Sequence, residues 1–133
     1  MILVDSSVLI DLLEKTPEWF EWCSERLAQA KQSDSLGINA LVYAEISRTF
    51  KSGALQDQFL KATGIQYLHI SPAAAFEASL AHRRYREAGG SRAATLPDFF
   101  IGAHARAEGY TLMTRDAKRI STYFPDVPVI SPR

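Results

Sequence analysis

Apolar and polar positions alternate in blocks along the chain, and the blocks read in turn as strands and helices. Ile2-Leu3-Val4 is a short apolar run closed by Asp5, the pattern of a parallel strand buried on both faces. Ser6 to Leu13 follows as a short helix. Thr16-Pro17, a hydroxyl before a proline, predicts the entry of a helix running to about Lys31. Leu36-Gly37-Ile38 is a second strand, and Asn39 is placed to cap a helix that runs to about Ser52 and stops at Gly53. A short helix from about Leu55 to Ala62 leads through Gly64 into the strand Ile65–Ile70. Ser71-Pro72 repeats the hydroxyl-proline signal and opens a long helix to about Ala88, ended by Gly89-Gly90. Thr95 to Glu108 is helical, with Gly109 as its stop. Thr111–Thr114 is a fourth strand, residues 117–123 a helical turn, and Val127–Ile130 a last strand.

Five short apolar strands separated by helices predict a three-layer α/β/α sandwich with a five-stranded, mainly parallel sheet. With 133 residues and no repeat or linker, the expectation is a single domain over residues 1–133. The 47% apolar content excludes a disordered chain, and no run approaches the ~18–20 apolar residues of a membrane span. The opening residues lack the basic flank and cleavage site of a signal peptide, so a cytoplasmic protein with no membrane association is expected. The one cysteine, Cys23, excludes an internal disulfide and a cysteine zinc cluster.

Net charge is zero, but it is unevenly spread. Residues 1–66 hold nine acids and six bases; residues 67–133 hold six acids and nine bases. The basic excess lies in Arg83, Arg84, Arg86 and Arg92, and again in Arg115, Lys118 and Arg119. Such a balance does not predict sequence-blind DNA binding, but it allows a local phosphate-binding patch. Its plain structural reading is a solvated helix face.

Open parallel sheets bind ligands beyond the carboxyl ends of their strands. Asp5 directly follows the first strand, and Asp116 follows the fourth by two residues. On the helix after Asn39, Leu41, Val42, Ile46 and Phe50 define an apolar arc, and Glu45 falls inside it. Asp98 shares a stripe with Ile101, Gly102 and Ala105, small enough to bring its helix close to the sheet. Each acid also has a structural reading. Asp5 and Asp116 stand where they would cap the next helix, Asp98 stands three residues after Thr95, and Glu45 three before Arg48. Separate caps do not require two acids at strand ends and two more on inward helix faces.

Two carboxylates ~5 Å apart repel by about 3 kcal/mol at an effective dielectric of ~20. Converging acids therefore take up protons or bind a cation. An all-oxygen set selects Mg²⁺ or Mn²⁺ over Zn²⁺, and such an ion suits phosphodiester hydrolysis by activated water. Neutralising one acid relieves repulsion, so Asp5→Asn or Asp98→Asn is expected to leave the fold intact or more thermostable.

Four segments resemble the motifs of PIN-domain nucleases. Val4-Asp5-Ser6-Ser7-Val8-Leu9-Ile10-Asp11 is similar to their first motif, the Glu45 helix to the second, and Leu96-Pro97-Asp98-Phe99-Phe100-Ile101-Gly102-Ala103-His104-Ala105 to the third. Leu112-Met113-Thr114-Arg115-Asp116, with Tyr123-Phe124-Pro125 and Val129-Ile130-Ser131-Pro132, resembles the fourth motif and tail of VapC-type toxins. The resemblance implies a Mg²⁺- or Mn²⁺-dependent ribonuclease, the toxin of a type II toxin–antitoxin pair, dimeric and neutralised by a cognate antitoxin. It carries Asp5, Glu45, Asp98 and Asp116 over as catalytic and metal-binding acids, with Ser7 and Thr114 as supporting polar groups. Asn39 stands where many relatives have Ser or Thr, and Phe99-Phe100 is bulkier than usual after the third acid.

Arg115, Arg83, Arg84 and Arg92 are candidates for RNA-backbone contact, Arg115 foremost because it adjoins Asp116. Trp19, Phe20 and Trp22 read either as core or as an apolar groove for an antitoxin helix. His69, His82 and His104 lack metal-ligand spacing, and Cys23 reads as a packing residue. Two other classes remain. A phosphatase of the haloacid dehalogenase kind would need an aspartate where Ser7 stands, and a non-catalytic binding module would use the acids only as caps.

Overall fold

The computed structural model describes residues 1–132. Its sheet contains β1 (Ile2–Val4), β2 (Leu36–Ile38), β3 (Gln66–Tyr67), β4 (Thr111–Met113) and β5 (Val129–Ile130). All pairings are parallel, in the order β3-β2-β1-β4-β5. The chain builds outward from β1 to β3, then returns to the other side of β1 for β4. The order reverses there, so the crevice between β1 and β4 is where an open α/β sheet receives a ligand.

Among the described residues seven α-helices cover the sheet: α1 (Ser6–Leu13), α2 (Phe20–Ser33), α3 (Ala40–Ile46), α4 (Gly53–Thr63), α5 (Pro72–Glu87), α6 (Phe100–Glu108) and α7 (Ala117–Tyr123). The two-residue periodicity of the strands divides the core. Ile2, Val4 and Met113 pack with residues of α1 to α4, including Leu9, Leu27, Val42 and Leu60. Leu3 and Leu112 face the other way, against Ala78, Ala81, Phe99, Ala103, Ile120 and Phe124. This is the expected three-layer sandwich. Among the described residues no helix is long and apolar enough to cross a membrane.

The strands expected over Ile65–Ile70 and Val127–Ile130 shorten to Gln66–Tyr67 and Val129–Ile130, and three helix boundaries shift, each for a local reason. Thr16-Pro17 does not open α2, which begins at Phe20. Lys15 takes the left-handed conformation, with φ +51°, and the Thr16 N–H closes α1 by donating to the Asp11 carbonyl at 3.0 Å. Thr16 therefore closes one helix, and its own carbonyl accepts from the Trp19 and Phe20 N–H groups at 3.1 and 2.9 Å to start the turn that leads into α2. Gly53 is not a stop either. The helix after Asn39 tightens into a 3-10 turn at Ser47–Thr49, where the Ser47 and Thr49 hydroxyls donate to the carbonyls of Tyr43 and Ile46. Phe50 is extended, and Ser52 caps α4 by accepting from the Leu55 N–H. The Thr95–Glu108 helix is likewise split, with a 3-10 turn at Leu96–Phe99 before α6.

Gly102 also serves a different neighbour from the one expected. A methyl group there would collide with the Phe124 ring, so the missing side chain admits the loop before β5.

Candidate active site

Adjacent strands deliver the first two acids. The Asp5 N–H extends the β1–β4 ladder by donating to the Met113 carbonyl at 2.9 Å. Its carboxylate oxygen Oδ2 accepts from the Thr114 hydroxyl at 2.7 Å and from the Ser7 hydroxyl at 3.1 Å. The Thr114 hydroxyl accepts in turn from the Asp116 N–H at 2.9 Å, and the Ser7 hydroxyl from the Arg115 N–H at 3.3 Å. Thus Ser7 and Thr114 tie the segment after β4 to the segment after β1. Both side-chain bonds to Asp5 fall on Oδ2, so Oδ1 is the oxygen left for a ligand.

Glu45 and Asp98 come from helices. Asn39 starts α3 by accepting from the N–H groups of Leu41 and Val42, both at 3.1 Å. Its amide also bonds the buried His104 ring at 3.2 Å, which fixes α3 against α6. Val42 and Ile46 are then buried, and Glu45 lies between them on the side that lines the cleft. Asp98 accepts from the Thr95 N–H at 2.6 Å and its hydroxyl at 3.3 Å, both on Oδ2.

The four acids line one cleft of about 490 Å³, together with Ser6, Ser7, Thr95, Thr114 and Arg119. Loss of surrounding water raises the Glu45 carboxyl above its ordinary value, reinforced by the charges of Asp5 and Asp98 and opposed by a Ser6 hydrogen bond and the Arg48 charge. Among the described residues, no group of three His, Cys, Asp or Glu side chains is gathered tightly enough to cage an ion alone.

The structural readings of the acids separate here. Asp98 does complete a capping box with Thr95. Asp5 and Asp116 stand at helix N-caps but make no side-chain cap bond. Glu45 has no ion pair with Arg48, which reaches Glu14 at 3.7 Å instead.

The arginines divide between the cleft and other surfaces. Arg115 turns to Asp11, Nε to Oδ2 at 2.6 Å, and its guanidinium carbon lies 5.1 Å from the Trp19 ring centroid. It is thereby engaged outside the acid cleft. Arg83, Arg84 and Arg92 are exposed and do not line the cleft. Among the described residues the cation that does is Arg119, Nη1 3.1 Å from Asp116 Oδ2. In the sequence Arg119 stands out only as surplus charge; its spacing of three from Asp116, the N-cap of α7, is the local signal of the contact. The Asp11–Arg115 pair carried no local signal, because its partners are remote in sequence. Trp19 and Trp22 are half-buried and pack on the core. Cys23 is buried beside them, and burial with the Asp11 charge pushes its thiol up to about 11.

A parallel sheet bearing acids at its switch point defines the class first: an α/β protein with a carboxylate-lined cleft where such sheets receive ligands. The family follows. A model of the PIN domain matches residues 2–125, so the chain belongs to the PIN domain family, a family of nucleases. No curated protein matches the sequence. Among solved structures, a chain of VapBC2 from Rickettsia felis, solved with a promoter DNA fragment, superposes with a TM-score of 0.77 at 19% identity, covering 100% of both chains. A chain of FitAcB from Neisseria gonorrhoeae gives 0.70 at 22% identity, covering 99% of this chain and 98% of that one. VapBC-1 from nontypeable Haemophilus influenzae gives 0.69 at 20%, covering 98% of each. At these identities the likeness is one of fold.

Proposed function

We propose that this protein is a Mg²⁺-dependent ribonuclease, with Mn²⁺ able to substitute, and the toxin of a type II toxin–antitoxin pair held inactive by a cognate antitoxin. One observation carries the reading: acids from four separate segments line a single cleft at the sheet's switch point. PIN family membership and the fold shared with chains of VapBC and FitAB complexes support the toxin assignment.

The donor set fits the ion. Mg²⁺ keeps several waters and binds through one or two carboxylates plus substrate phosphate, so a loose set of acids suits it better than a closed cage. Asp5 and Asp98, each with Oδ2 committed to protein donors, would offer Oδ1; Glu45 and Asp116 complete the set. When bound, the metal would polarise the phosphodiester and activate water for in-line attack. The chain's own contribution is orientation. Thr114 and Ser7 fix the Asp5 carboxylate, Thr114 fixes the Asp116 backbone, and Thr95 fixes Asp98. Glu45, whose carboxyl is raised by lost solvation and by the charges of Asp5 and Asp98, is the acid whose charged form a bound cation would most favour.

The protein is expected to act in the cytoplasm and to be a homodimer, which light scattering at high concentration tests. The central experiment is cleavage of RNA in Mg²⁺, Mn²⁺ and chelator, with Asp5→Asn and Asp98→Asn controls. Cleavage should require the ion and disappear in both variants. Wild-type rates from Asp98→Asn in Mg²⁺ would refute the site. Metal-independent binding without cleavage would favour a non-catalytic module.

A further inference from the structure

A cleft with four carboxylates repels the substrate it is meant to hold. Each RNA phosphate is an anion, and a bound divalent ion offsets only part of the acids' charge. A cation supplied by the protein is therefore expected within reach of the acids. The neighbour of Asp116 does not supply it, because Arg115 is committed to Asp11 and to the Trp19 face.

Among the described residues lining the cleft, Arg119 is the one cation. It stands on α7, one turn beyond Asp116, and Ile120 beside it is 2% exposed. That buried neighbour fixes the backbone from which the side chain reaches. The guanidinium rests on Asp116 at 3.1 Å, with the two side chains 36% and 46% exposed. Exposed pairs three residues apart on a helix are among the weakest ion pairs. Arg119 can leave Asp116 at little cost. The planar guanidinium also matches two phosphate oxygens at once, which an ammonium cannot do.

We propose that Arg119 is a substrate-binding residue that grips a phosphate of the RNA backbone at the acid cleft, and that its contact with Asp116 is a resting position abandoned when RNA enters. The proposal rests on the ribonuclease reading for the identity of the ligand. Release of Arg119 also frees Asp116 Oδ2 as RNA arrives, coupling occupancy by substrate to availability of the fourth acid.

The test is binding of a fluorescein-labelled single-stranded RNA to the full-length protein, read by anisotropy across a salt series with Ca²⁺ in place of Mg²⁺ to suppress cleavage. Wild type is compared with Arg119→Gln and Arg119→Lys, and thermal melts establish that all three fold. Loss of one charge-assisted phosphate contact should weaken binding about tenfold or more. The slope of log K against log salt should also fall by roughly 0.7, the value for one phosphate on a single strand. Arg119→Lys should restore the slope but only part of the affinity. In Mg²⁺ the same loss should raise KM with kcat changed much less. An unchanged salt slope in Arg119→Gln, or a shift only in the Mg²⁺ concentration for half-maximal cleavage, overturns the proposal and leaves Arg119 as a neutraliser of Asp116. That outcome, with wild-type cleavage intact, spares the ribonuclease reading. Failure of the wild type both to bind and to cleave RNA defeats the two together.

Discussion

Arg115→Ala is expected to damage stability far more than its surface position suggests. The partner is the reason. The Asp11 side chain is only 5% exposed, and its Oδ2 has no aligned hydrogen-bond donor, so the Arg115 charge 2.6 Å away is what compensates its burial. Removing one member of a buried pair costs about 3–5 kcal/mol, because the other remains in a poor solvent for charge. The Arg115 side chain is 33% exposed, so water can follow into the vacated volume and the lower end applies. The lost stacking on Trp19 adds roughly 0.5–1 kcal/mol. The total is about 3–4 kcal/mol, or roughly 10 °C in Tm for a chain of this size. Asp11→Ala should cost less, about 1–2 kcal/mol, since Arg115 keeps both water and Trp19. Urea unfolding at pH 7 gives both values, and the double variant gives their coupling. Arg115→Ala within 0.5 kcal/mol of wild type, or the reverse ranking of the two variants, would refute the reasoning. The salt dependence of RNA binding should be unmoved by Arg115→Ala, in contrast to Arg119→Gln.

Glu45→Gln should raise Tm slightly at pH 7 in chelator. Its folded carboxyl lies above the ordinary value, so its contribution is complete below the usual carboxylate range and is lost as pH rises through the folded value; the gain should therefore vanish near pH 4. Asp5→Asn should gain less, because the amide weakens the charge-assisted bonds that Oδ2 accepts from the Ser7 and Thr114 hydroxyls. His104 behaves in the opposite sense. Burial lowers its value, so the stability it contributes is present above about pH 6.5 and is lost as pH falls below that toward the folded value. The difference in unfolding free energy between wild type and His104→Gln, measured from pH 7.5 to 5, should shrink toward the acid end. Gly102→Ala should cost about 1–3 kcal/mol by overpacking the Phe124 ring, with cleavage retained below the lowered Tm.

Local chemistry made most of the fold legible. Three apolar residues before Asp5, the Asn39 and Ser71 caps, and Gly64 and Gly109 in the left-handed conformation at helix ends are decisions taken within a few residues. Where two local signals competed, the sequence was ambiguous. Thr16 closes α1 with its N–H while its carbonyl starts the turn into α2 at Phe20, and Ser52 displaces Gly53 as the punctuation before α4.

The four acids were visible as candidates because each broke a local pattern or followed a strand, independently of where the other three stood. That they would converge was expected from the strand ends and the family resemblance, but the geometry of their common cleft was not visible. It depends on β4 returning to the side of β1 opposite β2, which only the packing of helices on both faces of the sheet decides. The roles of the arginines were hidden for the same reason. Arg115 and Arg119 differ by four positions in sequence, and charge alone treats them alike. The tertiary structure gives one to a buried aspartate 104 residues earlier, at 2.6 Å, and leaves the other at the cleft. Sequence fixes which groups are present and which short segments hold their shape, because those energies are local. Which groups meet depends on chain-distant contacts whose free energy exists only once the layers are assembled.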